Sequence, residues 1–261
     1  MRATRHRLRL LTFNIAHGRG LSPIQGLLTQ RRIKANLLKI SRLLTTVEAD
    51  VVAFQEIDRH SRWAGNFDQL EFLREHARMP HSVFGINTQR EGLLNLCYGN
   101  GLLSEYPILR FENVVFGKKQ IGEKGFLFTE LDVAGHRVPI INLHLHYRSR
   151  VQRFRQLDRL TEWLGHEHRR HGAHWSMPPI ICGDFNAPRV EWDVTASLHD
   201  HLVRFADYRL LPDPTDHTFP SAWPQTTYDF IFVPPECRRA HSVVVKSFLS
   251  DHRPVLVEFE L

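Results

Sequence analysis

The chain has little cysteine, no long apolar run and no low-complexity stretch, and each shortage removes a class of protein. Cys97, Cys182 and Cys237 are odd in number and far apart, so they make neither a disulfide framework nor the paired spacing of a metal knuckle or redox motif. Cys182 sits inside an apolar run, and a reduced compartment is the expected setting. No segment approaches the ~20 apolar residues that a bilayer-spanning helix needs. The mildly apolar stretch Leu8–Ile15 is too short and polar for a signal peptide and has no small-residue cleavage site. These absences predict a soluble, cytoplasmic protein. A glycine-rich phosphate-binding loop is also missing, which argues against NTP-driven transfer. Neither repeat nor linker divides the sequence, so a single domain over 1–261 is expected.

What is present points to a mixed α/β fold. Strand-length apolar runs recur at Leu8–Ile15, Val51–Ile57, Gly101–Leu103, Phe126–Val133, Val138–Leu145, Ile180–Cys182, Phe230–Val233, Ser242–Phe248 and Pro254–Leu261. Many are continuous in Val, Ile and Phe, the pattern of strands buried on both faces. Ile33, Leu37, Ile40, Leu44 and Val47 line one face of a helix, and Val151, Phe154, Leu157, Leu160 and Leu164 line another. A weaker helix runs near Trp192–Phe205. Strands outnumber helices without strict β-α alternation, so two sheets packed together with helices outside fit better than a doubly wound sheet.

Polar residues interrupt these strands at their ends. Asn14 follows Leu8–Phe13, Glu56 closes the run that begins at Val51, and His144 and His146 punctuate the run that begins at Ile140. Asp184 and Asn186 end Ile180–Gly183, Asp229 opens the run to Val233, and Asp251 and His252 precede the last strand. Burying a neutral polar group without a partner costs ~2–7 kcal/mol, and a charge costs more. The economical reading is that these groups converge on one another and on an ion. The net charge of +6 favours an anionic partner.

Taken in order, the segments Leu11–Ile15, Phe54–Ile57, Gly99–Ser104, Asn142–Leu145, Gly183–Asn186 and Ser250–Pro254 resemble the endonuclease/exonuclease/phosphatase superfamily, specifically its compact bacterial members. The resemblance implies a four-layered α/β sandwich of DNase I type: two mainly antiparallel or mixed sheets, with outer helices and the site at one edge of both. It implies an Mg²⁺- or Mn²⁺-dependent phosphodiesterase, with Glu56 as the principal metal ligand, Asn14 as the metal-proximal amide and Asp251 as a further carboxylate near the ion. Asp184 matches the residue that orients or deprotonates the attacking water, with Asn186 beside it. His252 would contact the scissile phosphate with Asp229 fixing its tautomer, and His144 would face the leaving oxygen. Phosphoryl transfer asks for such a set, because its catalysis is mainly positioning and electrostatic stabilisation. No Ser-His-Asp arrangement accounts for Glu56 and Asn14.

Several residues keep two readings. His17 either touches a substrate phosphate or belongs to a plain strand-to-helix connection. His146 shares a strand face with His144 and either joins the site or lies one step beyond it. Arg148, with Arg150, Arg153 and Arg155, forms a substrate-facing rim or a solvated helix face. The tract His166, His168, His171 and His174 invites a zinc reading, but it follows a helix and has no defined ligand geometry. Lys124-Gly125 departs from the Arg that relatives often carry. The substrate is a phosphodiester, with nucleic acid the first expectation and an anionic lipid headgroup or inositol phosphate the alternative. Phe219–Pro224, which contains Trp223, is the one weak candidate for a membrane-facing insertion. A catalytically inactive binding module is a minor alternative, because such proteins lose the metal carboxylate or the terminal Asp-His pair. Nothing in the sequence points to a protein partner.

Overall fold

The structure is a computed structural model that describes residues 7–92, 95–118 and 120–261. One sheet contains β1 (Arg7–Asn14), β2 (Val51–Asp58), β3 (His81–Arg90), β4 (Leu96–Ser104), β11 (Arg238–Val244) and β12 (Val255–Glu260), in the spatial order β11-β12-β1-β2-β4-β3. The other contains β5 (Ile108–Val115), β6 (Gly125–Val133), β7 (His136–His144), β8 (Ile180–Asp184), β9 (Arg209–Leu211) and β10 (Asp229–Val233), ordered β5-β6-β7-β8-β10-β9. Each sheet has one parallel pair, β1 with β2 and β7 with β8, and its other pairings are antiparallel.

Double-sided burial explains the continuous apolar runs. Successive strand side chains point to opposite faces. Leu8 and Leu10 of β1 enter the core between the sheets, while Leu11 and Phe13 pack beneath the outer helices. Val51 and Ala53 of β2 divide from Val52 and Phe54 in the same way. On the second sheet, Ile140, Ile180 and Ile231 face inward, and Ile141, Ile181 and Phe230 face the helices there.

The outer helices cover these faces. In α1 (Gln30–Thr46), Ile33, Leu37, Ile40 and Leu44 are buried, and Thr29 Oγ1 accepts the Arg32 N–H at the N-cap. Beside it lies α2 (Gln69–Ala77), capped by Asp68, with Leu70 and Leu73 inward. On the second sheet, α3 (Arg150–His171) buries Leu157 and Leu160, and α4 (Val194–Val203) buries Val194, Leu198 and Leu202. The four layers match the sandwich expected from the sequence. Among the described residues, no helix is long and apolar enough to cross a membrane.

Three details depart from expectation. The edge strand expected at Ser242–Phe248 is Arg238–Val244, because its register with β12 starts at Arg238↔Glu260 and ends at Val244↔Val255. The histidine tract does not follow α3: His166, His168 and His171 lie inside it, and His174 ends the short 3-10 turn beyond. Arg153 is not on a solvated rim. It is buried, with Nη2 2.6 Å from Asp193 Oδ2, and so ties α3 to the N-cap of α4.

Candidate active site

Strand register assembles the site before any side chain is considered. Asp184 ends β8 opposite His144 of parallel β7 and opposite Asp229 of antiparallel β10. Directly opposed side chains share a sheet face about 4.5–5.5 Å apart, so three adjacent strands bring His144, Asp184 and Asp229 together. The other sheet brings up Asn14 at the end of β1 and Glu56 near the end of β2. Gly183 lets β8 pass close to β7, since a Cβ there would sit 1.9 Å from Leu143 O.

The backbone is bent where the site needs it. Glu56 has φ 51° and lies in a register break between Phe54 and Ile57, a bulge that re-aims its side chain. Asn186, Ala16 and His17 also adopt left-handed φ values of 49°, 46° and 58°. Such conformations cost on the order of 1–3 kcal/mol each in residues other than glycine and concentrate at functional sites.

Asp184 is fully enclosed. Its Oδ2 accepts hydrogen bonds from Asn14 Nδ2 at 2.9 Å and Asn186 Nδ2 at 3.2 Å, and its Oδ1 accepts the Asn186 backbone N–H at 2.9 Å. Burial raises its pKa above the usual carboxylate range, reinforced by the Asp229 charge and opposed by His252. His252 follows the turn before β12 and places Nδ1 2.8 Å from Asp229 Oδ2 and Nε2 3.8 Å from Asp184 Oδ2. Burial disfavours the imidazolium, but the Asp229 and Asp184 charges outweigh that cost and lift the pKa of His252 to about 10.

Glu56 forms the opposite wall. Its Oε1 lies 3.3 Å from Lys124 Nζ and 4.0 Å from His144 Nε2, and its Oε2 lies 3.6 Å from His17 Nε2. Burial works against its charge, yet Lys124 and the surrounding imidazoles hold it well below the ordinary carboxylate range. Lys124 Nζ also lies 3.3 Å from His144 Nδ1. Burial and then that ammonium push the pKa of His144 down, which keeps the ring neutral with Nε2 turned to Asp184 Oδ2 at 3.4 Å.

Asn14 and Asp251, expected beside an ion, have protein partners. Asn14 Oδ1 accepts the Ala16 N–H at 3.0 Å while its amide nitrogen holds Asp184. Asp251 pairs with Arg19 and accepts the Ser250 hydroxyl. His146 serves the turn into α3, its Nδ1 accepting the backbone N–H groups of Arg148 and Ser149. Arg148 is exposed and lies over the Tyr147 ring. Among the described residues, the potential metal-holding group is Asp184, Asp229 and His252, and the histidine tract contributes nothing to it.

Asp58 and Trp63 were not singled out from the sequence, and Gln55, Asn100 and Asn142 stood inside the matching segments with no role of their own. Asn142 Nδ2 donates to Phe54 O and Gly101 O, Gln55 Nε2 donates to Asn142 Oδ1 at 2.7 Å, and Asn100 Nδ2 donates to Asn142 O and Gly125 O. These bonds fasten the two sheets together directly beneath the site. The signal was visible as polar residues inside apolar runs.

A hard divalent cation fits the carboxylate donors here. Glu56 supplies a partly accessible carboxylate, and Asp229 Oδ1 is buried without a hydrogen-bond partner. Ligand atoms of Asp184, Asp229 and His252 lie within 4.8 Å of one another.

Comparison with known proteins gives the family and the fold. The sequence model of the Endonuclease/Exonuclease/phosphatase family matches residues 11–252. The uncharacterized protein YbhP of Escherichia coli K12 is 28% identical over 233 residues, covering 83% of this chain and 85% of that protein. The crystal structure of an endonuclease/exonuclease/phosphatase from Beutenbergia cavernae superposes with a TM-score of 0.73 at 20% identity, over 98% of this chain and 72% of that one. Sphingomyelinase C from Streptomyces griseocarneus shares the fold at a TM-score of 0.68 and 20% identity, over 97% of this chain and 99% of that one.

Proposed function

Because the chain belongs to the Endonuclease/Exonuclease/phosphatase family, whose members hydrolyse phosphoesters, we propose that it is a divalent-cation-dependent phosphodiester hydrolase. The observation that carries this reading is the meeting of Glu56, His144, Asp184, Asp229 and His252 from both sheets within contact distance. Glu56 is the carboxylate proposed to hold Mg²⁺ or Mn²⁺, with Asn14 fixing Asp184 beside it. When bound, such an ion draws charge from a phosphoryl oxygen and lowers the pKa of water.

The chain's own groups do the rest. Asp184, held by the two asparagine amides, orients the attacking water, and its raised pKa suits it to accept the proton. His252, charged through Asp229, donates from Nε2 to a phosphoryl oxygen as negative charge builds there. Neutral His144 and the Asn186 amide face the leaving oxygen, and Lys124 adds a fixed positive charge.

Nucleic acid is the first substrate class, supported by the net charge of +6 and the exposed Arg148. A lipid headgroup is the second reading, favoured by a specific feature of the rim. Leu21, Ile24 and Leu27 are exposed on the segment after Arg19, which pairs with Asp251. Trp223, 74% exposed, lies just beyond Ser221, whose N–H donates to Asp251 O. The fold shared with a sphingomyelinase accords with that reading.

Release of product from single- and double-stranded DNA, RNA, sphingomyelin and phosphoinositides, each with Mg²⁺, Mn²⁺ or EDTA, tests the proposal. Cation-dependent cleavage of nucleic acid supports the nuclease assignment. Cleavage of lipid alone replaces it with the second reading, and cleavage of none contradicts both.

A further inference from the structure

His17 stands apart from the machinery just described, and its surroundings are built with unusual care. Its Nδ1 lies 2.6 Å from Asp58 Oδ2, and Asp58 is completely buried. The other Asp58 oxygen accepts the Trp63 indole N–H at 2.9 Å. Gln69 fixes both ends of the couple: its Oε1 accepts the Asp58 backbone N–H at 3.2 Å, and its Nε2 donates to His17 O at 3.0 Å. Trp63 and Tyr98 flank the imidazole with ring centroids 5.1 Å away, Tyr98 edge-on. The residue is held in a left-handed backbone conformation to keep this position.

The Asp58 bond engages Nδ1 and leaves Nε2 toward Glu56 Oε2, 3.6 Å away. We propose that His17 is a nitrogen ligand of the divalent cation held by Glu56, with Asp58 as the carboxylate that orients it. The inference rests on the assignment of Glu56 as a metal-holding residue. An imidazole whose far nitrogen is bound to a buried carboxylate is the usual arrangement of a metal-ligating histidine, because that bond fixes the tautomer and strengthens the donor. Ligand bonds of ~2.0–2.1 Å place neighbouring donors about 3.0 Å apart at a right angle and about 3.4 Å apart at a tetrahedral angle. The observed 3.6 Å needs only a slight closure of the pair.

Phosphate is the poorer occupant of this corner. An anionic oxygen against His17 Nε2 would also lie against the Glu56 carboxylate, whereas a cation is attracted by both groups. On coordination Nε2 gives up any proton it carries, since a ligand imidazole is neutral. An imidazole donor favours transition metals over Mg²⁺, so Mn²⁺ is the appropriate probe.

Mn²⁺ binding to the full chain, followed by electron paramagnetic resonance, tests the assignment. Pulsed measurements report the ¹⁴N coupling of a bound imidazole. Wild-type protein and His144→Gln should both show that coupling. His17→Gln should lose it and bind Mn²⁺ roughly 10–100-fold more weakly, with Asp58→Asn weakened to a similar degree. Unchanged coupling and affinity in His17→Gln overturn the proposal, provided Glu56→Gln abolishes binding. Wild-type affinity in Glu56→Gln instead removes the underlying assignment of Glu56. Should the His17 and Asp58 variants fail to fold, the His144→Gln/His252→Gln double variant decides: retained ¹⁴N coupling supports His17, and its absence overturns it.

Discussion

Asp229 Oδ2 lies 2.8 Å from His252 Nδ1, joining the start of β10 to the turn before β12 and so one sheet to the other. The bond makes Nδ1 the donor toward the carboxylate and leaves Nε2 facing Asp184. A buried imidazolium so placed has one orientation, which is the condition for directing a proton or a hydrogen bond at a substrate oxygen.

Asp229→Asn removes the charge that sustains the His252 imidazolium while preserving size. We expect kcat to fall roughly 10²–10⁴-fold with a smaller change in KM. Steady-state kinetics on the substrate identified by the hydrolysis panel checks this, and kcat within a factor of about two of wild type contradicts it.

The same pair sets a pH dependence of stability in cation-free protein. The folded-state pKa of His252 is raised from 6.5 to about 10. Its contribution is therefore fully present below pH 6.5 and is lost as pH rises through the folded value. Urea unfolding across that window should show stability declining with pH, and His252→Asn should flatten the decline. A wild-type slope retained in the variant would show that other groups control it.

Burial, and after it the Lys124 ammonium, keeps His144 neutral, so Lys124→Met should move the imidazole titration of His144 upward. Glu56 should titrate at higher pH in the same variant, because it loses the largest charge that favours its ionised form. Side-chain NMR titration reads both. Titrations that do not move would contradict the placement of the ammonium between them.

Asn142→Ala removes the side-chain donor to the carbonyls of Phe54 and Gly101 and one acceptor of the Gln55 amide, which keeps Thr12 and Ala53. Leaving buried polar groups unpaired should cost about 3 kcal/mol in all. A fall in Tm of roughly 5–10 °C is expected in calorimetry. An unchanged Tm would mean that the amides do not fasten the sheets.

The strands with both faces buried were legible because a continuous apolar run has one natural place in a layered fold. β5 was not, since it lies at a sheet edge and exposes Leu109 and Phe111. α2 has only nine residues and shows a weak stripe, although Asp68 caps it. Polar residues at strand ends pointed to Glu56, His144, Asp184 and Asp229, and register then explains their meeting. Asp58 lay in plain view two residues after Glu56. Its importance comes from long-range bonds to His17 and Trp63, which no local pattern encodes. Lys124 likewise read as a departure from relatives, and its role emerges only from the two side chains between which it sits.

On the proposed function, a cation at Glu56 is required to cut a phosphodiester. Hydrolysis of bis(p-nitrophenyl) phosphate, by wild-type protein and Glu56→Gln with Mg²⁺ or Mn²⁺ and with EDTA, tests it most directly. The expected result is activity that EDTA abolishes and added cation restores, and that falls on the order of 100-fold or more in Glu56→Gln. Undiminished hydrolysis in EDTA, or in the variant, would contradict it.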